Sequence, residues 1–293
     1  MRIPTVLLEG KSFSRIILSV RTAALSSRTE ISSLLGKAYG MGFSHFDLPT
    51  TRHREAFREL MRLTQDDNLM GFCHLDAKEG ASLLGKPLHA FESKIVATLK
   101  KNLPPEIIRN LFPSSLSPEV FTQKEIDRIA FDPQRLDKVL SSLRPEESPF
   151  LILGEKYGDW LLALGRMDLL QKMVAGVRER GFIPLFSGQW ATFSLPKAKP
   201  LEVAAYAVPI NRSRSFLDLT HACDVIKRFD KPVISLNPLA NGEFLNEPEA
   251  AFTFLFDELK IYAAIAEVAS EDEVKKILEG LGRSPSFILP RRA

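Results

Sequence analysis

Acids follow two apolar runs that resemble each other closely. GFSHFD ends in Asp47 and GFCHLD ends in Asp76, and Lys78 comes two residues after the second acid. A carboxylate beside a lysine holds the ammonium group in place and tunes its acidity, so such a pair can transfer protons, although a structural salt bridge would use the same residues. Another candidate is Glu155, which follows a later apolar run in GEKYG.

A histidine stands two residues before Asp47, and another stands two residues before Asp76. Because side chains alternate along a strand, His45 shares a face with Asp47, and His74 shares a face with Asp76. Two His and two Asp on adjacent strands could hold a metal ion. If these strands belong to a closed barrel, however, side chains two residues before the carboxyl end of a strand lie in a packed interior. We therefore expect His45 and His74 to be hydrogen-bonded core residues and predict no metal site.

Eight short apolar runs alternate with amphipathic helical patterns along the whole chain. Each run is rich in β-branched or aromatic residues, which indicates a buried strand. The runs span residues 15–20, 43–47, 69–76, 149–154, 182–187, 203–209, 233–237 and 261–266. This order predicts a (β/α)8 TIM barrel. The competing doubly wound sheet usually carries a Gly-rich turn after its first strand, and RIILSVRTAAL has none.

The chain is predicted to form a single domain over residues 1–293, with a helical insertion at about 79–131 after the third strand. Helices are expected there at 87–101, 104–112 and 118–130, separated by prolines. Because the insertion follows the carboxyl end of a strand, it should lie over the barrel mouth, where barrel active sites are found. It is a candidate lid, or only a cover for one side.

Composition narrows the choice of partners and compartment. The chain carries 39 basic and 36 acidic residues for a net charge of +3, without the segregated basic stripe of a nucleic-acid-binding surface. No apolar segment reaches the ~20 residues of a membrane span. Two cysteines without a CxxC motif are typical of a reducing compartment. We expect a cytoplasmic protein with a small-molecule ligand; the sequence indicates no oligomeric state.

Taken in order, these pieces resemble the aldo-keto reductase family over nearly the full chain. GFSHFDLP is similar to the stretch around the family's catalytic aspartate, and RERGFIPLFSG, INR and NPLANGEF resemble three later motifs. The resemblance implies a barrel that binds NADP(H) without a Rossmann domain and reduces carbonyls with a Tyr acid supported by Lys, His and Asp. The cofactor contacts it implies are Ser187, Asn211, Arg212, Pro238, Leu239 and Gly242.

The sequence departs from the family at the catalytic positions. Arg52 stands where the tyrosine is expected, five residues after Asp47, and Lys78 matches the lysine. The histidine position falls on Gly154 or Glu155. An arginine has a pKa above ~12 and cannot donate a proton as a phenol does, but it can stabilise an oxyanion or clamp a carboxylate.

The cofactor positions depart as well. Leu236 replaces the aromatic ring that stacks on nicotinamide, and Ala204 replaces the amide that holds the carboxamide. Glu267 falls at a phosphate-binding position, where a carboxylate would repel the phosphate. NADP is therefore a doubtful ligand for this sequence, and the cofactor is unknown.

Three functions follow from these residues. The favoured one is an aldo-keto-reductase-like barrel with a degenerate site that binds a small anionic metabolite at its mouth through Arg52, Lys78 and Arg212. The first alternative is a divergent NADP(H)-dependent oxidoreductase that keeps Asp47 and Lys78, with Arg52 as the electrophile. The second is a metal-dependent hydrolase. The catalytic candidates are Asp47, Arg52, Lys78 and Glu155, and the hydrolase would use His45, Asp47, His74, Asp76 and Glu155.

Overall fold

A computed structural model describes residues 3–21, 27–75, 80–102, 119–213 and 218–283. In chain order its strands are β1 (Thr5–Leu8), β2 (Lys11–Ser14), β3 (Ile16–Val20), β4 (His45–Leu48), β5 (Met70–Leu75), β6 (Ala81–Leu83), β7 (Lys86–Pro87), β8 (Ala130–Phe131), β9 (Phe150–Leu153), β10 (Ile183–Ser187), β11 (Ala205–Pro209), β12 (Val233–Leu236) and β13 (Ala263–Val268).

Eight of these strands close into a parallel barrel in the order β3, β4, β5, β9, β10, β11, β12, β13. Each corresponds to one of the predicted apolar runs, so the (β/α)8 barrel is confirmed. The predicted ends differ from the observed ends by up to two residues. The eighth run, for example, is predicted at 261–266 and observed at Ala263–Val268.

Helices surround the barrel. They are α1 (Arg28–Gly40), α2 (Thr51–Thr64), α3 (Glu92–Asn102), α4 (Gln123–Asp127), α5 (Pro133–Leu140), α6 (Glu155–Ala163), α7 (Met167–Glu179), α8 (Ala191–Ala198), α9 (Leu219–Arg228), α10 (Pro248–Thr253) and α11 (Glu271–Arg283), with 3-10 turns at Leu88–Phe91 and Ala240–Gly242 and a π-helical turn at Phe254–Glu258. Their apolar stripes are buried, as on α1, where Ile31, Leu34, Leu35 and Ala38 pack inward. In the described ranges no helix has the length and apolarity needed to cross a bilayer.

A hairpin of β1 and β2, which the sequence analysis missed, closes the amino-terminal end of the barrel. Phe13 from this hairpin enters the lumen, with its ring centroid 5.3 Å from Phe72 and 5.1 Å from Phe150. Its turn places Glu9 and Gly10 at φ of 45° and 78°, the left-handed geometry favoured in tight hairpins. A ligand therefore has to approach from the opposite end, the barrel mouth.

The insertion is only partly helical. β6, β7 and β8 form a small antiparallel sheet. The helix predicted at 87–101 is found as a 3-10 turn followed by α3, and the one predicted at 118–130 is reduced to α4. The helix predicted at 104–112 lies outside the described residues. The first turns of α3 and α6 are close, since Lys156 Nζ is 3.9 Å from Glu92 Oε1.

His45 gives the fold an acid-sensitive point inside the barrel. Its ring is buried, Nδ1 lies 2.9 Å from the hydroxyl oxygens of both Ser14 and Ser44, and burial lowers the pKa to about 4. The unfolded chain binds this proton near pH 6.5. The neutral ring therefore contributes stability above that pH, and the contribution is lost as the pH falls towards 4.

We expect the variant His45→Gln to become more stable relative to the wild type by about 2 kcal/mol as the pH falls from 7 to 4.5, because glutamine has no proton to bind. Urea unfolding of both proteins at each pH measures this difference, and other titrating groups cancel in the comparison. His221→Gln, at an exposed position on α9, should show no such trend. A pH-independent difference for His45→Gln would contradict the prediction.

Candidate active site at the barrel mouth

Polar side chains meet at the carboxyl ends of the barrel strands around a cavity of about 380 Å³. Side-chain alternation points Ser19, Asp47, His74 and Glu267 into this end of the lumen. The register supports this arrangement, since Ser19 on β3 is paired directly with Asp47 on β4. The lining side chains that carry charge are Arg21, Asp47, His74, Glu155 and Glu267.

His74 bridges two carboxylates on neighbouring elements. Its Nε2 is 2.5 Å from Asp47 Oδ1, and its Nδ1 is 2.9 Å from Glu155 Oε1. Ser19 Oγ donates to the second oxygen of Asp47 at 2.7 Å. Asp47 is only 4 % exposed, whereas the Glu155 side chain is 48 % exposed and reaches the cavity. The bridge therefore runs from a buried acid to an accessible one.

The charge on His74 follows from these partners. Burial by itself lowers the pKa of the ring, but the adjacent carboxylates of Asp47 and Glu155 outweigh burial and raise the pKa to about 10. The ring is thus an imidazolium at neutral pH, and each of its N–H groups donates to a carboxylate. Neither nitrogen is left to bind a metal ion or accept a proton.

Glu267 and Arg21 lie on another wall of the cavity. Arg21 Nε is 3.8 Å from Glu267 Oε2, and its Nη2 is 3.5 Å from Glu273 Oε2. Burial raises the pKa of Glu267; Arg21 opposes the rise, and the nearby charge of Asp47 adds to it. Glu267 therefore keeps its proton to a higher pH than an ordinary glutamate. Sequence reasoning assigned no role to Arg21 or Ser19, although alternation along RIILSVR places both on one face.

The predicted catalytic residues separate into three groups. Asp47 and Glu155 come together through His74, which was expected to be a packed core residue and instead lies at the mouth. Arg52 is exposed on the first turn of α2 and does not line the cavity. Lys78, like Asp76, lies outside the described residues.

His53, which follows Arg52 on the first turn of α2, points inward. His53, expected at the surface, is fully buried, with Nε2 3.0 Å from the Val20 carbonyl oxygen and Nδ1 2.7 Å from Thr50 Oγ1. One residue of offset rotates a helical side chain by about 100°. The rotation of α2 about its axis thus places His53 against the carboxyl end of β3 and leaves Arg52 exposed to solvent.

The predicted cofactor contacts do not form one surface at the mouth. Ser187 is fully buried, and its hydroxyl has no hydrogen-bond partner within the described part of the chain. Asn211 is buried too: its amide donates to the Asn237 carbonyl at 3.1 Å and accepts from the Ser213 N–H at 3.1 Å. Arg212 is exposed and lines a different cavity of about 580 Å³, between α10 and α11.

The loop after β12 is closer to the site. Pro238 and Leu239 belong to it and are absent from the cavity lining. Gly242 has a φ of 99°, and a Cβ at this position would be 3.6 Å from Arg21 Nη2. The loop therefore reaches the cavity through Asn237, while Gly242 lies beside Arg21.

The described mouth residues do not fit a nicotinamide cofactor. Leu236 lines the cavity where a stacking ring was expected. Ala204 precedes β11, at the end away from the mouth, and the residue at the mouth end of β11 is Pro209, which has no N–H and no side-chain donor for a carboxamide. Glu267 adds a carboxyl group where a phosphate would need a donor. Among the described residues, the mouth therefore lacks the groups expected to hold the nicotinamide and the phosphate.

A metal centre has no ligand set in the described ranges, where no three His, Cys, Asp or Glu side chains are grouped to hold an ion. Of the residues proposed for a metal-dependent hydrolase, His45 lies deeper in the lumen, near Phe13 (6.4 Å between ring centroids). His74 already uses both nitrogens.

Comparisons with known proteins support the fold and do not by themselves establish a function. No family model and no curated protein matches the sequence. An aldo-keto reductase from Bacillus halodurans (holo form) aligns with a TM-score of 0.62 at 10 % identity, covering 97 % of this chain and 92 % of that one. The aldose reductase from Schistosoma japonicum aligns at 0.55 and 10 %, covering 99 % and 89 %. A Bombyx mori aldo-keto reductase in complex with NADP aligns at 0.54 and 11 %, covering 98 % and 90 %. Identities this low establish shared architecture alone. The chain therefore shares its (β/α)8 barrel architecture with these aldo-keto reductases.

Proposed function

We propose that this barrel binds a small polar molecule other than a nucleotide at its mouth and carries out acid–base chemistry on it with Glu155 and Glu267. The observation that carries the proposal is the His74 bridge, which joins buried Asp47 to accessible Glu155 inside one cavity. Strongly perturbed ionisable groups gathered in a cleft are a recognised sign of a functional site.

Glu155 is the proposed proton acceptor. It is the half-exposed end of the bridge, and a hydrogen bond from cationic His74 fixes one of its oxygens. The other lone pairs of a carboxylate held in this way can accept a proton from a ligand. Asp47 does not touch the ligand in this scheme; it holds the imidazolium in the required orientation.

Glu267 is the proposed proton donor. Burial raises its pKa, so it stays protonated under conditions where an ordinary glutamate is ionised. A pair of carboxyl groups whose environments differ in this way can divide the roles of base and acid between them. The two groups lie on β13 and at the start of α6, and both line the cavity.

The charge of the lining bears on the class of ligand. The sequence favoured an anionic metabolite held by Arg52, Lys78 and Arg212, but the two arginines do not line this cavity and Lys78 lies outside the described residues. Within the described residues the lining presents three carboxyl groups, and the two cations found there, His74 and Arg21, already face carboxylates. We therefore favour a neutral or cationic polar ligand over an anion.

A thermal-shift panel tests the ligand class. Neutral polyols, small amines, carboxylates and phosphates are compared at pH 7.5, and a ligand present at a hundred times its Kd stabilises by about 2.7 kcal/mol, which raises Tm by several degrees. We expect polyols or amines to act, and Glu155→Gln to abolish the shift while Glu202→Gln, at an exposed position away from the mouth, retains it. Shifts produced only by anions would support the anionic alternative instead.

The divergent NADP(H)-dependent oxidoreductase is the second candidate. The buried hydroxyl of Ser187, which has no partner among the described residues, favours it, as does the aldo-keto-reductase-like fold. NADPH fluorescence titration separates it from the first: we expect a flat response up to sub-millimolar protein. Saturable binding that Ser187→Ala weakens would support the oxidoreductase and contradict a cofactor-free site.

A further inference from the structure

The start of helix α6, which begins with Glu155, packs closely against the end of β10. A Cβ at Gly154 would be 2.3 Å from the Ser187 carbonyl oxygen, and a Cβ at Gly158 would be 2.8 Å from the Phe186 ring and 3.2 Å from the same oxygen. A side chain at Gly154 would therefore collide with backbone, and one at Gly158 with the Phe186 ring. The element that carries the proposed base is thus in direct contact with the chain that leads to Gln189.

Asp159, one turn after Glu155, connects α6 to the loop after β10 by hydrogen bonds. It is fully buried, and its carboxyl group accepts hydrogen bonds from the Gln189 N–H at 2.6 Å, from the Trp190 N–H and from the Ser194 hydroxyl. A Cβ at Gly188 would be 2.8 Å from Asp159 Oδ1, so the loop lies directly on the carboxylate. A buried carboxyl group that is held by three neutral donors is an uncommon arrangement.

Gln189 connects the hydrogen bonds of Asp159 to the barrel mouth. Its side chain lines the same cavity as Glu155, while its backbone N–H is held by Asp159. We propose that Asp159 is a positioning residue that sets Gln189 against Glu155 across the ligand cavity, and that gain or loss of its proton switches the loop between two arrangements. The role of Gln189 towards a ligand rests on the proposed function; the switch itself does not.

The switch operates near neutral pH. Burial raises the pKa of Asp159 to about 7, although the bonds from Ser194, Gln189 and Trp190 each lower it. In the surroundings that the structure describes, these hydroxyl and amide donors face the carboxyl group from the loop and from α8, and no charged side chain does. The ionised group accepts all three bonds. The protonated group becomes a donor at one oxygen, and the Ser194 hydroxyl can turn to accept that bond, so the two amide donors are left with a neutral acceptor and weaker hydrogen bonds.

Protonation has opposite effects on the loop and on overall stability. The pKa in the folded chain is raised above the unfolded value near 3.9. The stability contributed by the protonated group is therefore complete below pH 3.9 and is lost as the pH rises through 7. The loop, in contrast, is best held above pH 7, where all three hydrogen bonds are made to a charged carboxylate. Global stability and loop order should thus change in opposite directions with pH.

The chain contains two natural reporters for this equilibrium. Trp160 follows Asp159 directly, Trp190 donates its backbone N–H to the carboxyl group, and these are the two tryptophans of the sequence. We expect the tryptophan fluorescence of the full-length protein to titrate between pH 5.5 and 8.5 with a midpoint near 7. In ¹⁵N-labelled protein the Gln189 amide proton should move downfield with the same midpoint, because its acceptor becomes a full carboxylate.

Variants of Asp159 and of a surface acid test whether Asp159 is the group that titrates. Asp159→Asn should remove both titrations, and Asp168→Asn, a surface acid paired with Arg166, should leave them unchanged. Where Asp159→Asn does not fold, Ser194→Ala serves instead: losing one donor to the carboxylate should raise the midpoint by about half a pH unit or more. Titrations that persist in Asp159→Asn, or a midpoint unmoved in Ser194→Ala, overturn the proposal. A failed ligand panel together with an intact loop titration would reject the proposed function alone.

Discussion

His74→Gln lowers the free energy of unfolding by about 3–5 kcal/mol at pH 7, the usual cost of removing one partner from a buried ion pair. Glutamine carries no charge and can donate through only one end of its amide, so buried Asp47 loses its counter-ion and one of the two carboxylates loses its donor. The expected readout is urea unfolding, with the change appearing in the midpoint rather than in the slope.

The same variant should also change how stability depends on pH. The pKa of His74 is about 10 in the folded chain, above the unfolded value near 6.5. Its contribution is therefore complete below pH 6.5 and is lost as the pH rises towards 10, by at most about 1.4 kcal/mol per pH unit. Between pH 6.5 and 9 the wild type should lose stability steadily, while His74→Gln should not.

His53→Gln is the matched control, since His53 is another buried histidine at the mouth end of the barrel but its pKa is lowered by burial. This control should be destabilised by its lost hydrogen bonds and still show the alkaline decline. If the wild type proves equally stable at pH 6.5 and 9, the charged bridge is wrong, and with it the orientation assigned to Glu155.

Gly154→Ala is expected to destabilise the protein by about 3 kcal/mol or more. Gly154 has φ of 117° and ψ of −84°, a backbone conformation that residues with a Cβ rarely adopt, and the added methyl would lie 2.3 Å from the Ser187 carbonyl oxygen. Backbone atoms cannot rotate away as a side chain can. The start of α6 must therefore shift, which moves Glu155 away from His74.

Gly165→Ala separates the two causes. Gly165 also has a positive φ, 75°, but no atom of the described residues lies within 4 Å of the place that the added methyl would take, so this variant should cost only about 1 kcal/mol. Urea unfolding of both variants gives the difference, and a reduced alkaline decline in Gly154→Ala would report the damaged bridge. Equal losses in the two variants would show that the contact with Ser187 is unimportant.

Much of the architecture was predictable because the signals are local. Each barrel strand is a short apolar run, and the run length, bounded by helical stripes, identified all eight. The β1–β2 hairpin carried a local signal too, the Glu9–Gly10 turn, but its flanking residues lack the regular alternation that marks a strand pair. The insertion was harder, because its short helices and three-stranded sheet depend on packing against α6 and α7.

The site was only half predictable, for a different reason. The sequence by itself determined that Asp47 and Glu155 lie at or just beyond the carboxyl ends of strands and hence at the barrel mouth, because strand periodicity and order along the chain suffice for that. Only the tertiary structure decided that His74 bridges them, that Arg52 points away while His53 is buried, and that Arg212 lines another cavity. Those outcomes depend on the stagger between neighbouring strands and on the rotation of each helix about its axis. Contacts between residues far apart in the chain set both quantities, and no local pattern records them.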